Sequence, residues 1–369
     1  MGDAFQYVFP AIRGVQAGCE YYVSMCPMRL IPKIFLFDED ELVPELRAQR
    51  VLNRARVPDM ARYLTENPDS YVFSAITASI DAEIRFEPLA GAGDDNIGLL
   101  KIPMSGRFII NDGQHRRAAI ELALRERPGL ADETISVVFF VDVGLARSQQ
   151  MFADLNRYAI RPSTSISILY DHRDEMAELA RRVVNSSQFF RDLVETERST
   201  LSLRSRRLFT FSAIYGATNA LLAGISYGDI DEGIALATSF WAAVGKQLPE
   251  WEQVRQGQIP ASEVREDLIH SHGVVLHAIG RVGNTLLREH PADWEARLGK
   301  LRELNWSRND PLWAGRAVVG GRLSKQTNQV ILTANVIKKR MGLDLTPDER
   351  RLEDTLARME HEPWSAAFA

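Results

Sequence analysis

The chain carries only two cysteines, Cys19 and Cys26, in 369 residues. Two are too few for a disulfide framework and lack metal-ligand spacing, so they read as buried free thiols. No apolar run approaches the roughly eighteen residues a membrane-spanning helix needs. The start, MGDAFQYVFPAIRG, has no basic leader, which argues against a secretory signal, and Gln6 stands where a myristoylation motif wants Ser or Thr. There is no GxxxxGK[ST] loop, no fixed-period repeat, no low-complexity tract and no sustained heptad. These absences disfavour a P-loop motor, a solenoid and a coiled coil, and they predict a cytoplasmic protein with no membrane partner.

An apolar content of 45% and a charged content of 25% are those of an ordinary globular protein, and the length suffices for two domains. The net charge of −5 argues against indiscriminate coating of nucleic acid. It does not exclude DNA binding, because a whole-chain sum hides local basic patches.

Short β-branched or aromatic runs predict strands at 20–26, 33–37, 71–76, 82–86, 97–102, 107–111 and 135–143. Helical spacing places Leu42, Leu46 and Val51 on one face over 41–52. It resumes after Pro58 with Met60, Ala61 and Leu64 until Asn67-Pro68. Further helices are expected at 113–126 and within ARSQQMFADLN, and GAGDDNIG at 91–98 reads as a turn or flexible loop. From about residue 160 the texture becomes helical: 172–187, 205–223, 229–246, 262–289, 293–304, 323–341 and 346–360. The expected fold is α+β, a mixed α/β domain over 1–160 followed by a mostly helical domain over 161–369.

The densest chemistry lies in RFIINDGQHRRAAI, residues 107–120. A strand enters an Asp-Gly turn and a helix opens on basic residues. Asp112 is expected to N-cap that helix, and Gly113 permits a tight or positive-φ turn. His115 and Arg116 fall in the first turn, where free N–H groups already favour an anion. An ordinary capped helix with a solvated basic end is the alternative. A second cluster is Asp154-Leu155-Asn156-Arg157, followed by Arg161-Pro162. Asn156 and Arg157 can end a helix with polar groups free for a ligand, or simply suit the dipole of an exposed C-terminus.

Together these segments carry a resemblance. GQHRRAAI is similar to the strand–Gly–x–[His/Arg]–Arg–helix signature of ParB-type nucleotide-binding domains and sulfiredoxin, and ADLNRYAIRPSTS resembles the later ParB box. DGQHR at 112–116 is the motif that names the DGQHR-domain proteins. QQMFADLNRYAIRPSTSISILYDHRD (149–174), with QRVLNRARVPDMARYL (49–64) before it, resembles the DndB family, encoded with DNA phosphorothioation genes. The resemblance implies a ParB/sulfiredoxin-like domain joined to helices and a repressor of the modification operon. It implies double-stranded promoter DNA as partner, and ATP with Mg2+ at the DGQHR motif. The implied nucleotide-binding residues are Gly113, Gln114, His115, Arg116, Asn156 and Arg157, and the candidate catalytic residues are Asp112 and His115. Gln114 replaces the nucleophilic cysteine of sulfiredoxin, which excludes sulfinic-acid reduction by that route. Ala153 and Asp154 stand where the ParB box usually carries Glu, so no metal-ligand residue is carried over.

Two basic segments are DNA-contact candidates. In RSTLSLRSRRLFTF (198–211), Arg198, Arg204, Arg206 and Arg207 lie beside hydroxyls. The alternative is a helix start held by salt bridges to Glu195 and Glu197. In SKQTNQVILTANVIKKRM (324–341), Ser324 is expected to cap a helix presenting Lys325, Gln326, Asn328 and Gln329, a set suited to base edges and phosphates. A plain amphipathic core helix is its alternative. His270, His272 and His277 have poor geometry for one tetrahedral metal and read as helical surface. Asp38, Glu39, Asp40 and Glu41 read as a turn and helix start. Competing functions are an ATPase or DNA-processing enzyme using His115 and Asp112, and an adaptor tethering other sulfur-modification proteins. A homo-oligomer is compatible with any of these.

Overall fold

The computed structural model describes residues 5–35, 53–89, 95–141, 150–151, 154–155 and 162–361. The chain divides into two compact units, Met1–Ile160 and Arg161–Ala369, each with its own hydrophobic core. The first unit holds β1 (Gln6–Gln16), β2 (Cys19–Pro27), β3 (Ile76–Asp81), β4 (Arg85–Pro88), β5 (Ile97–Pro103), β6 (Arg107–Asp112) and β7 (Thr134–Val141). They form one seven-stranded sheet in the order β4-β5-β1-β2-β7-β3-β6. Every neighbouring pair is antiparallel except β3 with β7. Its helices are α1 (Ile31–Ile34), α2 (Val57–Glu66) and α3 (Gln114–Glu126).

Strand β1 departs from expectation because Pro10 lies within it, and proline normally argues against a central strand. The sheet accommodates it by dividing the pairing. Residues Gln6–Ile12 pair with β5, whereas β2 is met only from Ala11 onward. The Pro10 carbonyl then accepts from Ser24 Oγ at 2.8 Å. The strand expected at 33–37 is also corrected. Lys33 and Ile34 end helix α1, with Pro32 in its first turn, where a missing N–H costs nothing. The strand expected at 71–76 begins only at Ile76, and that expected at 82–86 is Arg85–Pro88. The helix expected over 41–52 lies outside the described residues.

The second unit is helical: α4 (Thr164–Leu169), α5 (Glu175–Ser186), α6 (Phe211–Leu222), α7 (Ile230–Gly245), α8 (Pro249–Arg255), α9 (Ala261–Asp267), α10 (Gly273–Glu289), α11 (Trp294–Leu298), α12 (Thr327–Met341) and α13 (Pro347–His361). Two minimal strand pairs interrupt it, β8 (Val194–Glu195) with β9 (Phe209–Thr210) and β10 (Val318–Val319) with β11 (Arg322–Leu323). The architecture is therefore α+β. The expected helix at 262–289 is two helices, separated by residues 268–272. There the chain turns to bury His270, which accepts from the Trp251 indole N–H through Nδ1 at 3.0 Å. His270 is thus a core residue and not helical surface. The expected helix at 205–223 begins only at Phe211, after Phe209 and Thr210 have paired with β8.

Helices α6 and α10 run side by side in the same direction. Moving from their N-termini, an added Cβ at Gly273 would meet Ala213, at Gly280 it would meet Ala217 and at Gly283 Leu221. At Gly280 that Cβ would lie 2.1 Å from the Ala217 carbonyl oxygen, a main-chain atom that cannot swing away. Gly280→Ala is expected to destabilise the protein by about 2–4 kcal/mol. Gly299→Ala, where nothing lies within 4 Å, should change stability by less than about 0.5 kcal/mol. Urea unfolding of the two variants checks the contrast, and equal midpoints would contradict the close helix contact.

Candidate functional site

In the first unit the site is built where β6 delivers the chain into α3. The β3–β6 register shifts between Thr77 and Ala78, whose partners are Asp112 and Ile110. Asn111 is the extra residue of this bulge, and such bulges re-aim the side chains that follow. Asn111 is buried and donates to Ser79 Oγ at 2.7 Å and to Met151 Sδ at 3.2 Å. The second contact brings the helical residues Gln150 and Met151 to the strand leading into the turn. Asn156 and Arg157 lie outside the described residues.

Gly113 is the N-cap of α3, with φ 116°. An L side chain there would be strained, and its Cβ would lie 3.0 Å from Ile76 Cγ1 and 3.3 Å from Arg116 Nε. The expected capping by Asp112 is corrected: this residue ends β6, and no side chain caps α3. The reason is a competing cation. Asp112 Oδ2 accepts from Arg116 Nη2 at 2.6 Å, and the same nitrogen donates to the Ala75 carbonyl at 3.1 Å. Arg116 Nε is buried without a partner. Gln114 turns its amide back to the Ile110 carbonyl, 3.1 Å away. Arg117 is structural, donating to the carbonyls of Phe35 and Pro32.

His115 points to a segment for which sequence reasoning named no site residue. Its Nε2 accepts from the backbone N–H of Asn53 at 3.0 Å, which places the ring proton on Nδ1. Burial, then the charges of Arg56 and Arg116, push its pKa below the ordinary 6.5, against a smaller opposing effect of Asp112. Arg56 is exposed, on the 3-10 turn Arg54–Arg56, and makes no side-chain hydrogen bond or ion pair among the described residues. The signal available for it was the LNRAR stretch at 52–56. The turn thus combines an uncapped helix N-terminus, a buried orphan donor, an unengaged arginine and a neutral imidazole. This set suits a phosphate-type anion.

In the second unit the arginines of 198–207 lie on a loop and not at a helix start. Buried Arg265 of α9 organises that loop. Its Nη2 donates to the Ser202 carbonyl at 2.9 Å and the Leu203 carbonyl at 3.4 Å, and its Nη1 to the carbonyls of Ser205, at 3.1 Å, and Arg207. Burial pushes the Arg265 pKa down, and Glu266 opposes that shift. The loop's other end is held by buried Ser165, whose Oγ donates to the Arg198 carbonyl at 3.1 Å and accepts from Ser212 N–H at 3.3 Å. Arg198, Arg204, Arg206 and Arg207 are exposed. None forms an ion pair among the described residues, and Arg207 donates to the Asp192 carbonyl. The salt bridges to Glu195 and Glu197 that the alternative reading requires are absent among those residues. Glu195 instead accepts the backbone N–H groups of Glu197 and Arg198.

Lys325, Gln326 and Asn328 are also exposed, at the start of α12. The helix begins at Thr327 with Gln326 as its N-cap, so the expected cap at Ser324 is corrected. The Ser324 N–H is engaged by the Ala317 carbonyl at 3.0 Å. The body of α12 is core: Leu332, Ala334 and Ile337 are buried, and buried Lys338 pairs with Glu349 at 2.8 Å. Its first turn faces solvent, as do Lys339 and Arg340 in its last turn. No group of three or more His, Cys, Asp or Glu is placed to hold a metal among the described residues, and no described helix is long and apolar enough to cross a membrane.

These features define an α+β protein with a cationic strand–turn–helix in one unit and an exposed arginine loop in the other. A family model described as DndB, DNA-sulfur modification-associated, matches residues 9–344, and the chain belongs to that family. No curated protein and no solved structure matches it.

Because the His115 pKa is depressed, protonation works against the folded state. The stability from its neutral form is complete above about pH 6.5 and declines as the pH falls from there through the depressed value. NMR titration of the imidazole should show its midpoint below 6.5 in the free protein and a rise when inorganic phosphate is added. A midpoint at or above 6.5 in the free protein would contradict this electrostatic description.

Proposed function

We propose that this chain is a DNA-binding regulator of DNA sulfur modification, with a phosphate-bearing nucleotide, ATP first among the candidates, held at the 112–116 turn. The observation that carries the DNA reading is the arginine loop at 198–207. Its cations are exposed and free of carboxylates, and its main chain is fixed by Arg265 and Ser165, so little ordering remains to be done on binding. Arg204 and Arg206 contact phosphates, with Arg198 and Arg207 beside them. Lys325, Gln326 and Asn328 supply further polar contacts at the exposed turn of α12.

At the 112–116 turn, the residues fit a phosphate group. Arg116 Nε and Arg56 supply donors beside the uncapped start of α3. They fit a protein-held Mg2+ poorly, since the only carboxylate in the turn, Asp112, is already paired with Arg116. His115 engages Asn53 through the nitrogen a general base would use, which favours sensing of the nucleotide over its hydrolysis. Nucleotide occupancy then changes DNA affinity.

The test is a fluorescence-anisotropy titration of the chain's own promoter region, with and without ATP, across a salt series. The double variant Arg204→Ala/Arg206→Ala is expected to lower the slope of log affinity against log salt by about two. Arg116→Ala is expected to abolish the ATP effect while leaving DNA binding without ATP unchanged. Equal affinity with and without ATP sinks the nucleotide reading. A wild-type protein that fails to retain duplex at low salt sinks the DNA reading.

A further inference from the structure

Three long helices of the second unit begin at one end of it. Helices α6 and α10 run in the same direction, and Lys325, which leads into α12, lays its side chain across the N-terminal glycine of α10. An added Cβ at Gly273 would meet Lys325 Cδ at 3.4 Å and Ala213 of α6 at 3.4 Å, and one at Gly216 of α6 would meet Lys325 Nζ at 3.9 Å. The Lys325 stem therefore crosses the start of α10, and its ammonium lies beside Gly216 in the second turn of α6. None of the three helices has a side-chain cap or an acidic residue in its first turn. By contrast, α5 carries Glu175 and Glu178 there, α7 carries Asp231 and Glu232, and α13 carries Asp348 and Glu349.

Independent observations point to a missing partner. Ser271, just before the N-cap of α10, is 4% exposed, and its Oγ is buried without a hydrogen-bond partner. Two turns along α10, Arg281 has a buried Nε that is likewise unpartnered. Lys325 makes no ion pair among the described residues. Although Lys325 is exposed as a residue, partial desolvation of its ammonium depresses its pKa with no carboxylate opposing the shift, and Lys325 and Arg281 together add to the depression that burial imposes on His277. A positive charge, a buried orphan hydroxyl and the N-termini of α6 and α10 thus meet with no anion among the described residues, and the orphan Nε of Arg281 lies two turns further along α10.

We propose that the junction of α6, α10 and α12 is a phosphate-binding pocket, with Lys325 as its cation and the N-terminal turn of α10 as its N–H donor, and that it takes a backbone phosphate of bound DNA. The assignment to DNA rests on the reading of the protein as a DNA-binding regulator. The pocket itself rests only on the geometry above. The missing Cβ at Gly273 is what lets the Lys325 stem lie across the start of α10.

Two measurements on wild type, Lys325→Ala and Lys325→Arg test it: the salt dependence of duplex binding, and thermal unfolding in inorganic phosphate against chloride at equal ionic strength. The pocket predicts that phosphate raises the wild-type Tm by a few degrees, that Lys325→Ala abolishes the rise and that Lys325→Arg keeps most of it. The DNA assignment predicts a fall of about one in the salt slope and roughly five- to tenfold weaker duplex binding for Lys325→Ala. Loss of the phosphate effect with an unchanged salt slope upholds the pocket and overturns DNA as its source, leaving a free phosphate compound. Indifference of Lys325→Ala in both measurements overturns the pocket, even if Arg204→Ala/Arg206→Ala weakens DNA binding as expected. Failure of wild type to bind duplex removes the DNA reading, while the phosphate measurement still decides the pocket.

Discussion

The second unit's candidate interface depends on one buried guanidinium that satisfies its donors with carbonyls. Arg265 reaches four main-chain oxygens between Ser202 and Arg207. Carbonyls meet the hydrogen-bond demand of a buried arginine without cancelling its charge, as a carboxylate would. A loop crowded with like charges would otherwise spread apart. Here each carbonyl dipole is turned inward to the guanidinium, and the side chains of Arg204 and Arg206 are left to solvent. The same contacts that fix the loop therefore keep its surface positive.

Arg116 shows the opposite arrangement. Its guanidinium pairs with Asp112, and the neighbouring imidazole is held neutral by burial and by the arginines around it. With one cation cancelled and another titrated away, the turn at 112–116 keeps Arg56, the helix N-terminus and the orphan Nε as its attractive elements. Such a site rests on the placement of a few donors more than on net charge, and a side chain at Gly113 would strain that placement. Strong, nonselective attraction at the loop and weaker, shape-dependent attraction at the turn are what a protein needs if one ligand is a polymer of phosphates and the other a single small molecule.

Much of this was legible in the sequence, for physical reasons that differ by element. Strands β5, β6 and β7 and helix α3 follow directly from local apolar pattern and the Asp-Gly break, and the arginine cluster at 198–207 is visible as composition. The resemblance of 49–64 and 149–174 to the DndB family agrees with the match over residues 9–344. What was not legible depends on partners far along the chain. Pro10 hides β1 because a lone sequence does not show that pairing on one side stops at Ala11. Arg56 reaches the turn from 59 residues away, and its motif was visible without its destination. Arg265 reads as one more polar residue on an amphipathic helix, since nothing local says that it faces carbonyls some sixty residues upstream.

Parallel packing of α6 and α10 has an electrostatic consequence that its glycines make sharper. Helices placed side by side in the same direction set like dipole ends together, an arrangement that is unfavourable unless something negative gathers at the shared end. Close approach at Gly280 and Gly283 strengthens both the packing attraction and this repulsion. Elsewhere in the unit, acidic residues in first turns relieve the helix ends one at a time. At the shared end the sequence supplies a lysine instead, which adds to the positive potential. A fold that tolerates this uncompensated charge holds part of its packing energy against an electrostatic cost, and an arriving phosphate removes that cost. Binding there would therefore tighten the helical core as well as add contacts, so ligand affinity and stability of the second unit are coupled through the same three helices.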